Sequence, residues 1–92
     1  MMYKLTLAPR ADEDFEKFKK LGDKPLLRKI YTLFEELRNH PETGTGKPER
    51  LKGSQSGLWS RRINDKHRMV YEIEKTEITV YVLSLYGHYG DR

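Results

Sequence analysis

The sequence predicts an α+β fold in which an N-terminal strand and a two-helix hairpin precede an antiparallel three-strand meander. Three observations indicate this order. Apolar residues recur at helical spacing over residues 9–39, turn-forming residues crowd residues 41–57, and short strand-like runs fill residues 58–85. Because the helical half comes before the strand-rich half, we expect the hairpin to cover one face of a four-stranded or slightly larger sheet. The chain has 92 residues, so we expect one domain spanning residues 1–92.

The first strand and the first helix are predicted by a change of periodicity near Pro9. Residues 3–7 alternate apolar and polar side chains, which is typical of a strand. From Pro9 onward the apolar residues fall on one helical face, and Gly22 provides the stop. That face comprises Ala11, Phe15, Phe18 and Leu21.

The second helix is predicted to begin after Asp23, whose side chain is a good N-cap, with Pro25 in the first turn. Its apolar stripe is Leu27, Ile30, Phe34 and Leu37, and the pattern stops before Pro41. Residues 41–57 are rich in Gly, Pro, Ser and Thr and are predicted to be mostly loop. A short extended piece is expected around residues 50–52.

Three strands are predicted at residues 58–63, 67–74 and 78–85, with turns at 64–66 and 75–77. The last strand is apolar on both faces, so we expect it inside the sheet. In the first hairpin, the apolar faces coincide only if the numbers of the paired residues sum to an even number. The three-residue turn then places Ile63 opposite His67 and Arg62 opposite Arg68. Like charges in that position repel. Either an anion lies between the two arginines or both side chains turn into solvent.

Basic residues are concentrated in one segment of the chain. The net charge is +4, from 18 Lys and Arg against 14 Asp and Glu. Residues 47–68 contain only two acids, Glu49 and Asp65, against Lys47, Arg50, Lys52, Arg61, Arg62, Lys66 and Arg68. This imbalance favours a polyanionic partner such as nucleic acid, and the alternative is a solvated basic surface.

The composition favours a cytoplasmic protein without a metal or other cofactor. The sequence has no cysteine, which excludes disulfides and thiolate metal sites, and its three histidines are widely spaced. No apolar run approaches the ~20 residues of a membrane span, and no signal peptide is evident, so we expect no membrane association.

The residues of the basic segment suggest metal-free phosphodiester cleavage. Such a reaction needs a proton acceptor, cations for the charged phosphorane and a proton donor. Glu49, the arginines and the late His88 supply these groups. Their convergence is an inference from loops and strand ends, since the sequence does not give the order of the strands.

At these residues the chain resembles a known family, the YoeB/Txe toxins of the RelE/ParE superfamily. The resemblance runs from Tyr3 to Tyr89 and is carried by the pair His88-Tyr89 and by the blocks GKPERLK (46–52), SGLWSRRI (56–63) and HRMVY (67–71). Members are small ribonucleases that cut messenger RNA in the A site of the 70S ribosome. The resemblance therefore implies a toxin of a toxin–antitoxin system with a RelE-like fold.

The resemblance also implies roles for individual residues. Glu49 matches the general base, Arg68 the phosphate-stabilising arginine, His88 the general acid and Tyr89 a closing aromatic residue. The positions that support the scissile phosphate or the RNA backbone are Lys52 and Arg62, with Lys47, Arg50 and Arg61 as further backbone contacts.

The implied partners are a YefM-like antitoxin, the ribosome with its mRNA, operator DNA through the antitoxin complex alone, and a second copy in a homodimer. Two other functions stay open from the residues themselves. One is a non-catalytic RNA- or DNA-binding module, which would need the cations but neither Glu49 nor His88. The other is a ParE-like gyrase inhibitor, against which the combination of Glu49, Arg68 and His88 counts.

Overall fold

The strands and helices follow the predicted order, with one additional strand. The computed structural model describes residues 2–53 and 56–87. The elements are β1 (Lys4–Leu7), α1 (Pro9–Leu21), α2 (Lys24–Asn39), β2 (Glu49–Arg50), β3 (Trp59–Arg62), β4 (Arg68–Glu74) and β5 (Thr79–Ser84). The predicted α+β class is confirmed, and the short piece expected near residue 50 is a strand of the sheet.

Within the described residues, the sheet has five strands in the order β1-β5-β4-β3-β2. Strand β5 pairs in parallel with β1 and antiparallel with β4, so the prediction of an inner position is confirmed. Val80 and Val82 of this strand are completely buried. Strand β2 forms the opposite edge through its antiparallel pairing with β3.

Both helix boundaries follow the capping residues in the sequence. Gly22 adopts a left-handed conformation with φ of 70°, and its N–H donates to the carbonyl of Lys19. The Asp23 carboxylate accepts a hydrogen bond of 3.1 Å from the N–H of Leu26 and so caps α2. The two helices are therefore separated by a sharp turn and fold back on each other.

The core lies between the helical hairpin and one face of the sheet. Its fully buried residues include Phe18, Ile30, Leu33 and Leu37 from the helices and Met69, Tyr71, Val80 and Val82 from the strands. Neither helix of the described part of the chain combines the length and the apolar character of a membrane-spanning segment.

Leu21 differs from the sequence prediction. The helical pattern places it on the core face of α1, but its side chain is 70% exposed. Leu21 is the last residue of the helix and lines an open groove with Leu26 and His67.

Candidate active site

The hairpin register places two arginines directly opposite each other. Arg62 of β3 pairs with Arg68 of β4, as the apolar pattern predicts. Each guanidinium has a carboxylate partner of its own: Arg62 bonds to Asp65 in the turn, and Arg68 Nη1 lies 3.6 Å from Glu49 Oε1. These carboxylates reduce the repulsion expected between like charges across a strand pair.

The pair Glu49–Arg68 joins the edge strand β2 to β4 across the intervening strand. Glu49 is paired with Ser60 of β3, which directs the loop after α2 onto the sheet edge. The Glu49 side chain is 48% exposed and that of Arg68 is 19% exposed. The Nη1 atom of Arg68 is buried, so this ion pair is shielded from solvent on the arginine side and open to it on the Glu49 side.

Lys47 and Lys52 flank this edge strand in sequence, and both are exposed. Arg50, also exposed, lies with its guanidinium carbon 5.8 Å from the centre of the Trp59 ring. Trp59 is half-buried and stacks on Tyr71, so its indole belongs to the packing of the sheet. The edge of the sheet at β2 thus presents cations from a loop on either side of Glu49.

The prediction that Arg61 contacts the RNA backbone is wrong, because its side chain has no exposed surface. Its guanidinium donates to Glu36 Oε1 at 2.8 Å and to the carbonyl oxygens of His40, Pro41 and Thr43 at 3.3, 3.2 and 2.8 Å. Arg61 therefore links the loop that follows α2 to the face of the sheet that packs against the core.

Glu36 completes this buried network. Burial alone would raise the pKa of its carboxyl, but hydrogen bonds from Thr45 and the charge of Arg61 outweigh that effect and hold the pKa below its usual value. The hydroxyl of Tyr71 donates to the Pro41 carbonyl at 2.7 Å, and burial raises the pKa of that phenol. The Glu36 carboxylate therefore holds the loop at Thr45, and the Tyr71 phenol holds it at Pro41.

Gly46 allows the same loop to lie directly on β3. Its φ is 86°, and a Cβ built there would stand 2.6 Å from the carbonyl oxygen of Arg62 and 2.7 Å from Cγ of Arg61. The Gly46 carbonyl accepts from the N–H of Arg62 at 2.7 Å. Because Glu49 follows three residues later, this contact determines where the candidate base enters the sheet.

The C-terminal approach to the site is described as far as Gly87. Its carbonyl accepts from the N–H of Arg68 at 2.9 Å. The described chain therefore ends beside the strand that carries Arg68. The predicted general acid His88 and the predicted aromatic residue Tyr89 lie outside the described residues.

The structure brings Glu49, Arg62 and Arg68 to neighbouring strands, whereas Arg61 belongs to the interior. Within residues 2–53 and 56–87, no three His, Cys, Asp or Glu side chains form a group suited to a metal ion. The structural network of Arg61 and Glu36 was missed by sequence reasoning. The alternation of side chains along β3 could have indicated that Arg61 is buried, since Arg61 shares the face of Trp59 and Ile63.

The fold is a small mixed sheet covered by a helical hairpin, with paired arginines and a carboxylate near one edge. These features are those of a class of small bacterial toxins. Residues 7–89 match the family described as the YoeB-like toxin of bacterial type II toxin–antitoxin systems. This match covers most of the chain, which therefore belongs to that family.

Individual relatives agree with this assignment. The toxin YoeB of Mycobacterium bovis is 43% identical over 79 residues, 86% of this chain and 92% of that protein. The YoeB dimer from Staphylococcus aureus is similar in structure, with a TM-score of 0.81 and 37% identity over 97% of this chain and 100% of that one. A YoeB–YefM complex from the same organism has a TM-score of 0.80 and 36% identity, with the same coverage.

Proposed function

We propose that this toxin is a ribosome-dependent endoribonuclease that cleaves mRNA in the A site by attack of the RNA's own 2′-hydroxyl, without a metal ion. The observation that supports the proposal most strongly is the Glu49–Arg68 pair, with 3.6 Å between carboxylate and guanidinium. Arg62 lies opposite Arg68. A base and two phosphate-binding cations are thereby available on adjoining strands.

The proposed reaction divides its proton transfers between two residues. Glu49 accepts the proton of the 2′-hydroxyl, and the 2′-oxygen forms a bond to phosphorus. The bond from phosphorus to the 5′-oxygen breaks, and His88 protonates the departing oxygen. The products are a 2′,3′-cyclic phosphate on the upstream RNA and a 5′-hydroxyl on the downstream RNA.

The cations act on the charge that develops at phosphorus. We propose that Arg68, with Arg62 and Lys52, holds the non-bridging oxygens as the phosphorane forms, a type of contact that contributes on the order of 3–4 kcal/mol in enzymes. The incoming phosphate displaces Glu49 from Arg68, which directs the carboxylate toward the 2′-hydroxyl. Tyr89 packs on a neighbouring base, and Lys47 contacts the RNA backbone.

Exposure of the base gives a physical reason for ribosome dependence. The Glu49 side chain is 48% exposed, so water competes for its oxygens. Seating the toxin on mRNA in the ribosomal A site would exclude that water and orient the 2′-hydroxyl, an effect worth several orders of magnitude in rate. A cytoplasmic location follows from this substrate.

We further propose the partners that the family suggests. A YefM-like antitoxin would neutralise the basic segment 47–68, with an acidic chain that folds on docking, and would cover the site or displace its C-terminal part. Operator DNA would be bound only through that complex. We also propose that the toxin forms a homodimer. The S. aureus relatives form a dimer and a complex with YefM, which supports the homodimer and the antitoxin partner proposed for this chain.

Ribosomes programmed with a defined mRNA test the proposed activity. Arg68→Ala should reduce cleavage by about 100-fold or more, because it removes an electrostatic contact to the transition state. Arg28→Ala is the matched control, since Arg28 is an exposed arginine of α2, remote in sequence from the site. Equal cleavage by Arg68→Ala and wild type would contradict the role of Arg68. Failure of the wild type to cleave would favour the binding-module or gyrase-inhibitor alternatives.

A further inference from the structure

Side chains hold three consecutive backbone N–H groups immediately after the last strand. The N–H groups of Leu85 and Tyr86 donate to Asp14 Oδ2 at 2.9 and 3.1 Å, and the N–H of Gly87 donates to His67 Nδ1 at 2.8 Å. Strand β5 ends at Ser84, so regular sheet pairing no longer fixes these residues. The side chains of Asp14 and His67 accept hydrogen bonds from the three N–H groups that follow the end of the strand.

We call Asp14 and His67 together the clamp, and Asp14 is its buried part. Its side chain is only 1% exposed although it carries a carboxylate on α1. The second carboxylate oxygen accepts from Arg10 Nε at 3.1 Å. Both carboxylate oxygens of Asp14 therefore accept hydrogen bonds, as a buried carboxylate requires.

His67 must be neutral to take part in the clamp. A backbone N–H can only donate, so Nδ1 must present its lone pair and the ring proton must reside on Nε2. The ring packs against Phe18 and Tyr86, with centroids 5.1 and 4.6 Å away. Burial lowers the pKa of His67 below its ordinary value of 6.5, and the charge of Lys66 lowers it further.

The charged groups around this ring lie on several elements. Asp14 of α1 opposes the effect of Lys66 by raising the pKa. Asp23 and Asp65 line the groove that His67 borders, and Lys17 lies 5.0 Å from the centre of the Tyr86 ring. The net result still favours the neutral imidazole and hence the bond to Gly87.

We propose that His67 is a positioning residue for the reaction, because it fixes the Gly87 peptide from which the chain continues to His88. The Gly87 N–H is held by the His67 ring, and the Gly87 carbonyl is held by the N–H of Arg68 at 2.9 Å. The peptide that precedes His88, the proposed general acid, is thereby held next to Arg68, the residue proposed to bind phosphate. This inference rests on the proposed function of His88.

The same geometry makes the positioning sensitive to acid. Protonation of Nδ1 replaces an acceptor with a donor, which faces the Gly87 N–H and breaks the bond. Because the folded-state pKa of His67 is lowered, the contribution of the clamp is complete above pH 6.5 and is lost as pH falls through the lower folded-state pKa. The pH profile of the cleavage rate should therefore have an acid limb, in which the rate falls as His67 is protonated.

Two substitutions separate the acceptor from the ring. His67→Asn provides an amide oxygen near the position of Nδ1 but cannot titrate, whereas His67→Phe keeps the aromatic packing and removes the acceptor. We expect His67→Phe to lower kcat by about 10–100-fold, as displacements near 1 Å do in other enzymes, with a smaller change in KM. We expect His67→Asn to retain kcat within a few-fold and to lose the acid limb attributed to His67.

Nuclear magnetic resonance provides a readout independent of cleavage. In the wild-type full-length toxin, the Gly87 amide shift should follow the titration of the His67 ring nitrogens. That amide should move toward a solvent-exposed value in His67→Phe and stay near its original value in His67→Asn. A Gly87 amide indifferent to both titration and substitution would overturn the clamp, whatever the cleavage result.

The two proposals fail in different ways. If the wild type cleaves mRNA and His67→Phe cleaves it equally well, the positioning role is wrong and the proposed ribonuclease function stands. If the wild type does not cleave, the ribonuclease function and the positioning role are both overturned, and the amide shifts then describe only a folding contact. Unfolding curves for both variants separate loss of position from loss of fold.

Discussion

The two arginines of β3 have different surroundings because neighbouring residues of a strand point to opposite faces of the sheet. Arg61 has no exposed surface and bonds to Glu36 and three loop carbonyls, whereas the Arg62 side chain is 45% exposed. The sequence motif suggested similar roles for both. The alternation of Trp59 and Ile63 predicts that Arg61 points inward. It cannot predict that the Glu36 carboxylate and three loop carbonyls accept hydrogen bonds from its guanidinium.

This difference predicts opposite effects of two neighbouring substitutions. Arg61→Ala should lower the free energy of unfolding by roughly 3–5 kcal/mol, because it leaves a mostly buried Glu36 carboxylate without its cation. Arg62→Ala should change the free energy of unfolding by only ~0.5 kcal/mol but should reduce mRNA cleavage. Urea unfolding of each purified variant measures the first effect. Similar unfolding midpoints for the two variants would show that the Arg61 network is unimportant for stability.

Local sequence patterns predicted correctly where helices and strands occur in the chain and which of the two each segment forms. Periodicity and the caps at Gly22 and Asp23 gave both helices, and the apolar alternation gave the register of β3 on β4. The parallel pairing of β1 with β5 was not predicted. Pairing partners far apart in sequence are chosen by the packing of the whole sheet, and a strand of four residues contains little information about its neighbour.

The loop between α2 and β2 is the element that places the candidate base. Gly46→Ala should destabilise the protein and reduce cleavage, since the new Cβ would stand 2.6 Å from a backbone oxygen of β3. Gly53→Ala is a matched control: Gly53 also has a positive φ, 68°, but open space around its Cβ position. Both variants bear the cost of a left-handed conformation, about 1 kcal/mol, so any excess in Gly46→Ala measures the close contact.

That comparison has a clear adverse outcome. If Gly46→Ala and Gly53→Ala lose the same unfolding free energy and cleave equally well, the loop does not depend on its contact with β3. The placement of Glu49 would then have to come from its pairing with Ser60 alone.

At the level of the whole molecule, the strand order assembles the site from distant parts of the sequence. Strands β2, β3 and β4 are neighbours, and they carry Glu49, Arg62 and Arg68 respectively. The N–H of Arg68 binds the carbonyl of Gly87, so the C-terminal segment approaches the same part of the sheet. The family resemblance grouped Glu49, Arg62 and Arg68, and the structure places these three residues on neighbouring strands. The contacts of Asp14 and His67 with residues 85–87 were not predicted, because they join a helix and a turn to a segment without a periodic pattern.

The central claim is that the RNA supplies the nucleophile and that the protein moves the protons and holds the phosphate. The chemical nature of the RNA ends after cleavage on programmed ribosomes tests it most directly. We predict a 2′,3′-cyclic phosphate upstream and a 5′-hydroxyl downstream, with no cleavage when the scissile nucleotide carries a 2′-deoxyribose. A 5′-phosphate on the downstream fragment, or cleavage of the 2′-deoxy substrate, would show that water attacks phosphorus and would contradict the roles proposed for Glu49 and His88.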